Sequence, residues 1–132
     1  MLMIDTSVWI GVFRDRTGGA RAELSTLIGE QDYTLSRFTQ MELLQGSRDE
    51  QEWSLLQDYL VGQDYLEFPA DNWGDAARIY YDLRRKGLTI RSTIDCCIAQ
   101  TAIHYQAVLV HNDKDFETIA QVRSLQHLRF SP

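Results

Sequence analysis

The sequence predicts an α/β fold, a mostly parallel sheet with helices on both faces, and three observations carry that prediction. Short apolar runs, Met1-Leu2-Met3-Ile4 at the start and Ala107-Val108-Leu109-Val110 near the end, read as strands. Longer stretches with helical spacing separate the strand-like runs, which is the order that crossover-linked parallel strands produce. Punctuation falls between these stretches: Gly46 and Gly87 stand where helices stop, and Pro69 where one starts.

The elements follow in order. Strand 1–5 carries the first apolar run, and helix 6–14 places Trp9 and Phe13 four apart on one face. A turn at Gly18-Gly19 leads to helix 20–30 and a short strand 33–35. Helix 37–46 has the stripe Phe38, Met41 and Leu44 and ends at Gly46; helix 49–61 carries Trp53 and Leu56. A short strand 65–68 precedes Pro69 and the long helix 70–86, whose end Arg84-Arg85-Lys86 suits the negative pole of the helix dipole. After Gly87, helix 93–105 opens on Ser92-Thr93-Ile94-Asp95, close to a capping box, with Ile98, Ala99 and Ala102 at helical spacing. Strand 107–111, a short helix 113–120 and a last strand 126–130 complete the chain. With two prolines, no repeat and no low-complexity linker, residues 1–132 are expected to form one domain.

Composition narrows the function. A hydrophobic content of 44% is enough for a normal core, and a net charge of −6, from 19 acids against 13 bases, gives no broad basic footprint for nucleic acid. A nucleic-acid substrate would therefore have to be held by metal ions and a few local Arg or Lys residues. No apolar segment approaches the roughly 20 residues that span a bilayer, and no signal-peptide pattern precedes the first strand. A soluble cytoplasmic protein without a membrane partner is expected. Cys96 and Cys97 are adjacent in a helix, where a mutual disulfide would be strained. His104, His111 and His127 form no zinc spacing with them, so both cysteines read as small core residues.

Five acids, Asp5, Glu42, Asp95, Asp113 and Asp115, stand where strands end or helices begin. Ligand crevices of open parallel sheets lie outside the carboxyl ends of the strands, so Asp5 and Asp113 are expected to face one crevice. Each acid also has an ordinary reading as a cap or first-turn residue. Thr39-Gln40-Met41-Glu42 fits a capping box, although it lies inside a helix that starts earlier. Glu42, beside the Phe38 stripe, and Asp95, preceding Ile98 and Ala102, are expected to point into the protein, where an acid is costly unless paired or bound to metal. No Lys or Arg recurs at matching inward positions, which leaves a cation as the simpler partner. Asp115 reads as the weakest of the five, a solvated first-turn residue.

Hard oxygen ligands select Mg²⁺ or Mn²⁺ and leave coordination positions for water and substrate phosphate. Such an ion polarises a phosphodiester and lowers the pKa of bound water, so no Cys or His nucleophile is needed. Thr6, Ser7 and Asn112 stand beside the acids as neutral hydrogen-bonding groups, or simply as cap and turn residues.

Four segments in this order resemble the PIN-domain nucleases, and within them the VapC toxins of type II toxin-antitoxin systems: Met3-Ile4-Asp5-Thr6-Ser7-Val8-Trp9, Glu42, Thr93-Ile94-Asp95-Cys96-Cys97-Ile98-Ala99 and His111-Asn112-Asp113-Lys114-Asp115-Phe116. The resemblance spans essentially the whole chain. It implies a parallel sheet of order 3-2-1-4-5 and an Mg²⁺- or Mn²⁺-dependent endoribonuclease with Asp5, Glu42, Asp95 and Asp113 as an acidic quartet. Asp5, Asp95 and Asp113 would be the metal ligands and Asp115 an accessory. It also implies an RNA substrate, a homodimer and a VapB-type antitoxin.

Arg14, Arg16, Arg37, Arg91 and Lys114 fall in loops or helix ends near the expected crevice, where they are candidates for RNA phosphate contacts. Trp9, Phe13, Trp53 and Leu56 read as core; any that are exposed would offer an apolar trough for an antitoxin helix. The rival reading is a receiver-type Mg²⁺-binding switch, which wants two adjacent acids after the first strand, where this chain has Asp5 alone. A haloacid-type phosphatase wants an acid at the position of Ser7.

Overall fold

A computed structural model describes all 132 residues. Its five strands, β1 (Leu2–Ile4), β2 (Tyr33–Ser36), β3 (Tyr65–Leu66), β4 (Val108–His111) and β5 (His127–Arg129), form one sheet of order β3-β2-β1-β4-β5. Every pairing is parallel. The registers Leu2 with Tyr33, Ile4 with Val110 and His111 with Arg129 bring the carboxyl ends of β1, β2 and β4 to one edge.

Seven helices cover the sheet: α1 (Thr6–Arg14), α2 (Gly19–Ile28), α3 (Arg37–Gln45), α4 (Glu50–Val61), α5 (Trp73–Arg85), α6 (Thr93–Tyr105) and α7 (Lys114–Ile119). Alternation along the strands divides the core in two. Leu2, Ile4 and Val110 pack with Trp9, Leu24, Leu43 and Leu60 on the face covered by α1 to α4. Met3 and Leu109 point the other way, onto Ile79, Leu83, Ile98 and Phe116 of α5 to α7. Both faces of the central strands are therefore buried, which is why they read as unbroken apolar runs.

The expected elements are all present, with shifted ends. The helix expected over 70–86 opens as a 3₁₀ turn, Ala70–Asn72, behind Pro69, and becomes α only at Trp73. Asn72 is turned inward there, accepting a 2.9 Å bond from the Gln100 side chain of α6. Gly87 takes φ +72°, and the amides of Gly87 and Leu88 close the end of α5 onto Arg84 and Leu83 at 3.0 and 2.9 Å. Two readings are corrected. Helix α3 buries Thr39 and Leu43 most deeply; Phe38 and Leu44 of the expected stripe are partly buried against the two cores, but Met41 is exposed. The reason is polar: the helix rotates so that the Thr39 hydroxyl meets Thr6 of α1 at 3.1 Å. Phe13 and Trp53, expected in the core, are partly exposed, whereas Trp9 is buried.

Cys96 and Cys97 are free and buried, and burial pushes the Cys96 thiol up to about 12, a core role in keeping with their expected inertness. No helix is long and apolar enough to cross a membrane.

Candidate active site

At the carboxyl edge four helices, α1, α3, α6 and α7, carry the five acids. Asp5 leaves β1 with an extended backbone and caps α1; its Oδ2 accepts the Ser7 amide at 3.0 Å and the Ser7 hydroxyl at 2.6 Å. The same hydroxyl oxygen accepts the Asn112 amide at 2.9 Å, which ties the loop after β4 to the start of α1. Glu42 projects from α3, and the Thr6 hydroxyl donates to its Oε1 at 2.7 Å. Asp113 caps α7 by accepting the Asp115 amide at 3.0 Å. Asp95 stands in the first turn of α6, behind the Ser92 cap.

For Asp5 and Asp113 the cap and site readings are thus compatible. A capping carboxylate sits at a helix N-terminus with one oxygen engaged and the other available, and strand ends and helix starts coincide at this edge. The capping box read at Thr39 to Glu42 does not form, because Ser36 caps α3 by accepting the Thr39 amide at 3.1 Å.

Burial and mutual charge shape the cluster. The Asp5 carboxyl is pushed up to about 6, mainly by burial and further by Glu42, against the lowering effect of its Ser7 bonds. The Asp95 carboxyl is pushed up to about 7, first by burial and then by the charges of Asp5, Asp113, Glu42 and Asp115. All four other acids therefore act on Asp95. Ligand oxygens of Asp95, Asp113 and Asp115 lie within 4.8 Å of one another. A divalent cation fits this donor set: hard oxygens, close together, around a buried carboxylate that the protein surrounds with like charge.

One expectation about the acids changes. Asp115 is not a solvated surface residue but only 4% exposed, because its Oδ2 turns back to accept the Arg91 backbone amide at 3.2 Å and the Arg91 Nε at 3.1 Å. Glu42 and Asp95 pair with no Lys or Arg, as expected; the one guanidinium at the cluster is that of Arg91, on Asp113 and Asp115. Arg91 Nη2 also reaches Asp113 Oδ1 at 2.8 Å, so one guanidinium bridges both carboxylates while remaining largely in solvent.

The other basic candidates are spread around the crevice. Arg14 and Arg16 line a groove with Glu42. Arg37 is exposed, paired with Glu67 at 2.8 Å and lying over the Tyr65 ring, and Lys114 is exposed at the start of α7. Asn112 is exposed and receives Arg129 Nε on its side-chain oxygen at 3.2 Å.

Three contributors were missed in the sequence. Thr39 supports Thr6. Arg48 adds a third arginine to the groove. His111 is fully buried at the end of β4, with Nε2 2.9 Å from His127 Nδ1 and Nδ1 3.2 Å from the Asp113 amide. The available signal was a histidine closing an apolar strand run, with a second histidine on the neighbouring strand.

The groove beside Glu42 has a volume of about 760 Å³. Ile10, Phe13, Leu43, Leu55, Leu56 and Tyr59 form its apolar floor, between α1, α3 and α4. Arg14, Arg16 and Arg48 stand around it. Of the aromatic residues read as core, Phe13 belongs to this trough.

Comparison with known proteins places the geometry in context. The PIN domain family model matches residues 2–122. Ribonuclease VapC11 of Mycobacterium tuberculosis is 36% identical over 133 residues, covering 98% of this chain and 99% of its own. Among solved structures, VapBC2 from Rickettsia felis bound to a DNA fragment from their promoter superposes with a TM-score of 0.80 at 24% identity, covering 98% of both chains. VapBC-1 from nontypeable Haemophilus influenzae gives a TM-score of 0.76 at 25% identity, covering 97% of this chain and 96% of that one.

Proposed function

The chain belongs to the PIN-domain family of VapC ribonucleases, and from that membership we propose that it is an Mg²⁺- or Mn²⁺-dependent endoribonuclease, the toxin of a toxin-antitoxin pair whose activity arrests translation and growth. The observation that supports the metal-dependent reading is the donor set: ligand oxygens of Asp95, Asp113 and Asp115 lie within 4.8 Å of one another, and Asp95, pushed up to about 7 first by burial and then by the four neighbouring acids, is the carboxylate a cation would relieve most.

Asp5, Asp95 and Asp113 would hold the ion, with Asp115 beside them and Glu42 as the fourth member of the quartet. A bound divalent ion supplies Lewis-acid polarisation of the phosphodiester and a water of lowered pKa. The protein's own groups do the rest. Ser7 fixes Asp5 by two bonds and Thr6 fixes the Glu42 carboxylate, so neither side chain has to find its rotamer when substrate arrives. Glu42, less buried than Asp5, would act as the base toward an attacking water. Asn112, Arg14, Arg16, Arg37 and Lys114 offer polar and cationic contacts for RNA phosphates in a chain whose net charge is otherwise unfavourable. Arg91, largely in solvent while it bridges Asp113 and Asp115, is the cationic candidate nearest the acids.

The antitoxin reading rests on the groove. Its apolar floor suits an amphipathic segment, Arg14 and Arg16 favour an acidic flank while Arg48 is paired with Glu52 at 2.7 Å, and Glu42 on its wall brings an occupant to the edge of the acid cluster. Exposed Trp73, Tyr80 and Tyr81 on α5 supply an apolar face for a second copy in a homodimer. A cytoplasmic location and a single domain over 1–132 complete the proposal. Its test is cleavage of single-stranded or structured RNA by the purified protein with Mg²⁺ or Mn²⁺. Activity should vanish in EDTA and return with metal; cleavage at full rate in EDTA would overturn the mechanism.

A further inference from the structure

We infer that His111, locked in one tautomer by His127, is a positioning residue for Asp113. The Asp113 backbone N–H can only donate, so the His111 Nδ1 that receives it at 3.2 Å must be the bare ring nitrogen. The proton then lies on Nε2, which donates to His127 Nδ1 at 2.9 Å. Both nitrogens of a fully buried imidazole are thereby satisfied, which explains why a polar ring is tolerated after Val108-Leu109-Val110. The Phe116 ring, 5.2 Å away, holds it from the side.

The consequence lies in the loop. The His111 carbonyl accepts the Phe130 amide at 2.7 Å, the Asn112 amide goes to Ser7 Oγ, and the Asp113 amide goes to the imidazole. The loop is thus pinned to β5 and the residue after it through His111, to the start of α1 through Asn112, and back onto the His111 ring through Asp113. The imidazole is the pin nearest the acid, and it fixes the extended backbone from which the Asp113 carboxylate reaches the cluster. His111 touches neither substrate nor the reacting atoms and acts through Asp113 alone. The inference rests on the proposal that Asp113 is a metal ligand.

The test is Mn²⁺ binding to the metal-free protein by titration calorimetry, with folding checked by circular dichroism. An Asn side chain places its amide oxygen near the position of Nδ1, and a Gln side chain reaches toward Nε2. His111→Asn, which keeps an acceptor for the Asp113 amide, is expected to bind within about threefold of wild type, and His111→Gln to bind tenfold or more weakly, the usual scale for losing a ligand-orienting bond. His127 is only half-buried, so a second pair decides the matter if the His111 variants fold poorly: His127→Leu should weaken Mn²⁺ binding and His127→Asn should restore it. Nitrogen NMR of His111 should show a bare Nδ1 and a protonated Nε2. A protonated Nδ1, or equal Mn²⁺ affinity in wild type, His111→Gln and His127→Leu, would overturn the role of the ring. In that case loss of binding in Asp95→Asn would still uphold the acid site. Absence of Mn²⁺ binding in wild type would overturn both.

Discussion

The Thr6 hydroxyl donates to Glu42 Oε1 at 2.7 Å across a sequence separation of 36 residues, and this bond joins α1 to α3 at the rim of the crevice. Thr39, fully buried, sits 3.1 Å from Thr6 on the other side. A hydrogen bond to a charged acceptor is worth about 1.5–3 kcal/mol, of which part orients the carboxylate rather than stabilising the fold. Thr6→Val keeps the shape and removes the donor. It should lower turnover about tenfold while the protein stays folded, and Thr6→Ser should restore most of the rate. Equal cleavage rates for wild type and Thr6→Val would show that Glu42 needs no orienting bond.

The acids themselves give a steeper expectation. Asp5→Asn, Glu42→Gln and Asp95→Asn preserve volume and remove ligand charge, so each should reduce cleavage by orders of magnitude with an unchanged circular dichroism spectrum. Asp115→Asn differs from what its sequence context suggests. Its carboxylate is buried and pairs with Arg91, so the exchange should cost stability as well as activity. A melting temperature equal to wild type in Asp115→Asn would mean that the Arg91 contact contributes nothing.

Which features were legible in the sequence follows from how local their causes are. The β1 and β4 runs, the Asp5 and Asp113 positions after them and the Gly87 stop are set by neighbouring residues, and all appear where expected. The strand order and the quartet came from the family resemblance of four short segments. The inward face of α3 was misread because it is chosen by Thr6 on another helix, not by the apolar period of α3. Asp115 was misread for a similar reason: its burial depends on an amide 24 residues upstream, at Arg91. His111 was passed over because its two partners, the Asp113 amide and His127, are brought together only by a chain turn and the pairing of β4 with β5.

The groove predicts a separation of toxicity from neutralisation. Leu55 is largely exposed on its floor and makes no contribution to the acid cluster. Expression of the wild type alone should arrest growth, and co-expression of its antitoxin should relieve the arrest. Leu55→Glu places a charge on the floor and should leave RNA cleavage intact while weakening relief. Relief by the antitoxin at the wild-type level in Leu55→Glu would remove the groove as the docking surface. Identical growth on expressing wild type and Asp5→Asn would count against a toxin altogether.

The raised carboxyl groups predict how metal and pH act on stability. Asp5 is pushed up to about 6 and Asp95 to about 7 in the folded state, both above the usual range of an unfolded chain near 4. Through that window the native state holds more protons than the unfolded state, so stability falls as pH rises from about 4 to about 7 in metal-free protein. Bound Mg²⁺ or Mn²⁺ opposes the repulsion and adds on the order of 2 to 3 kcal/mol at about a hundred times its dissociation constant. Asp95→Asn removes the most burdened charge. In EDTA at pH 7.5 it should therefore melt above wild type, by about 3 °C or more, and at pH 4, where Asp95 is protonated, the gain should disappear. With millimolar Mn²⁺ the order should reverse, because wild type gains the ion and the variant has lost a ligand. Thermal melts at the two pH values, with and without Mn²⁺, read all of this from one pair of proteins. Should wild type show no metal-dependent shift and Asp95→Asn melt lower in EDTA, the acids do not act as one site, and Asp5 and Asp113 serve only as helix caps.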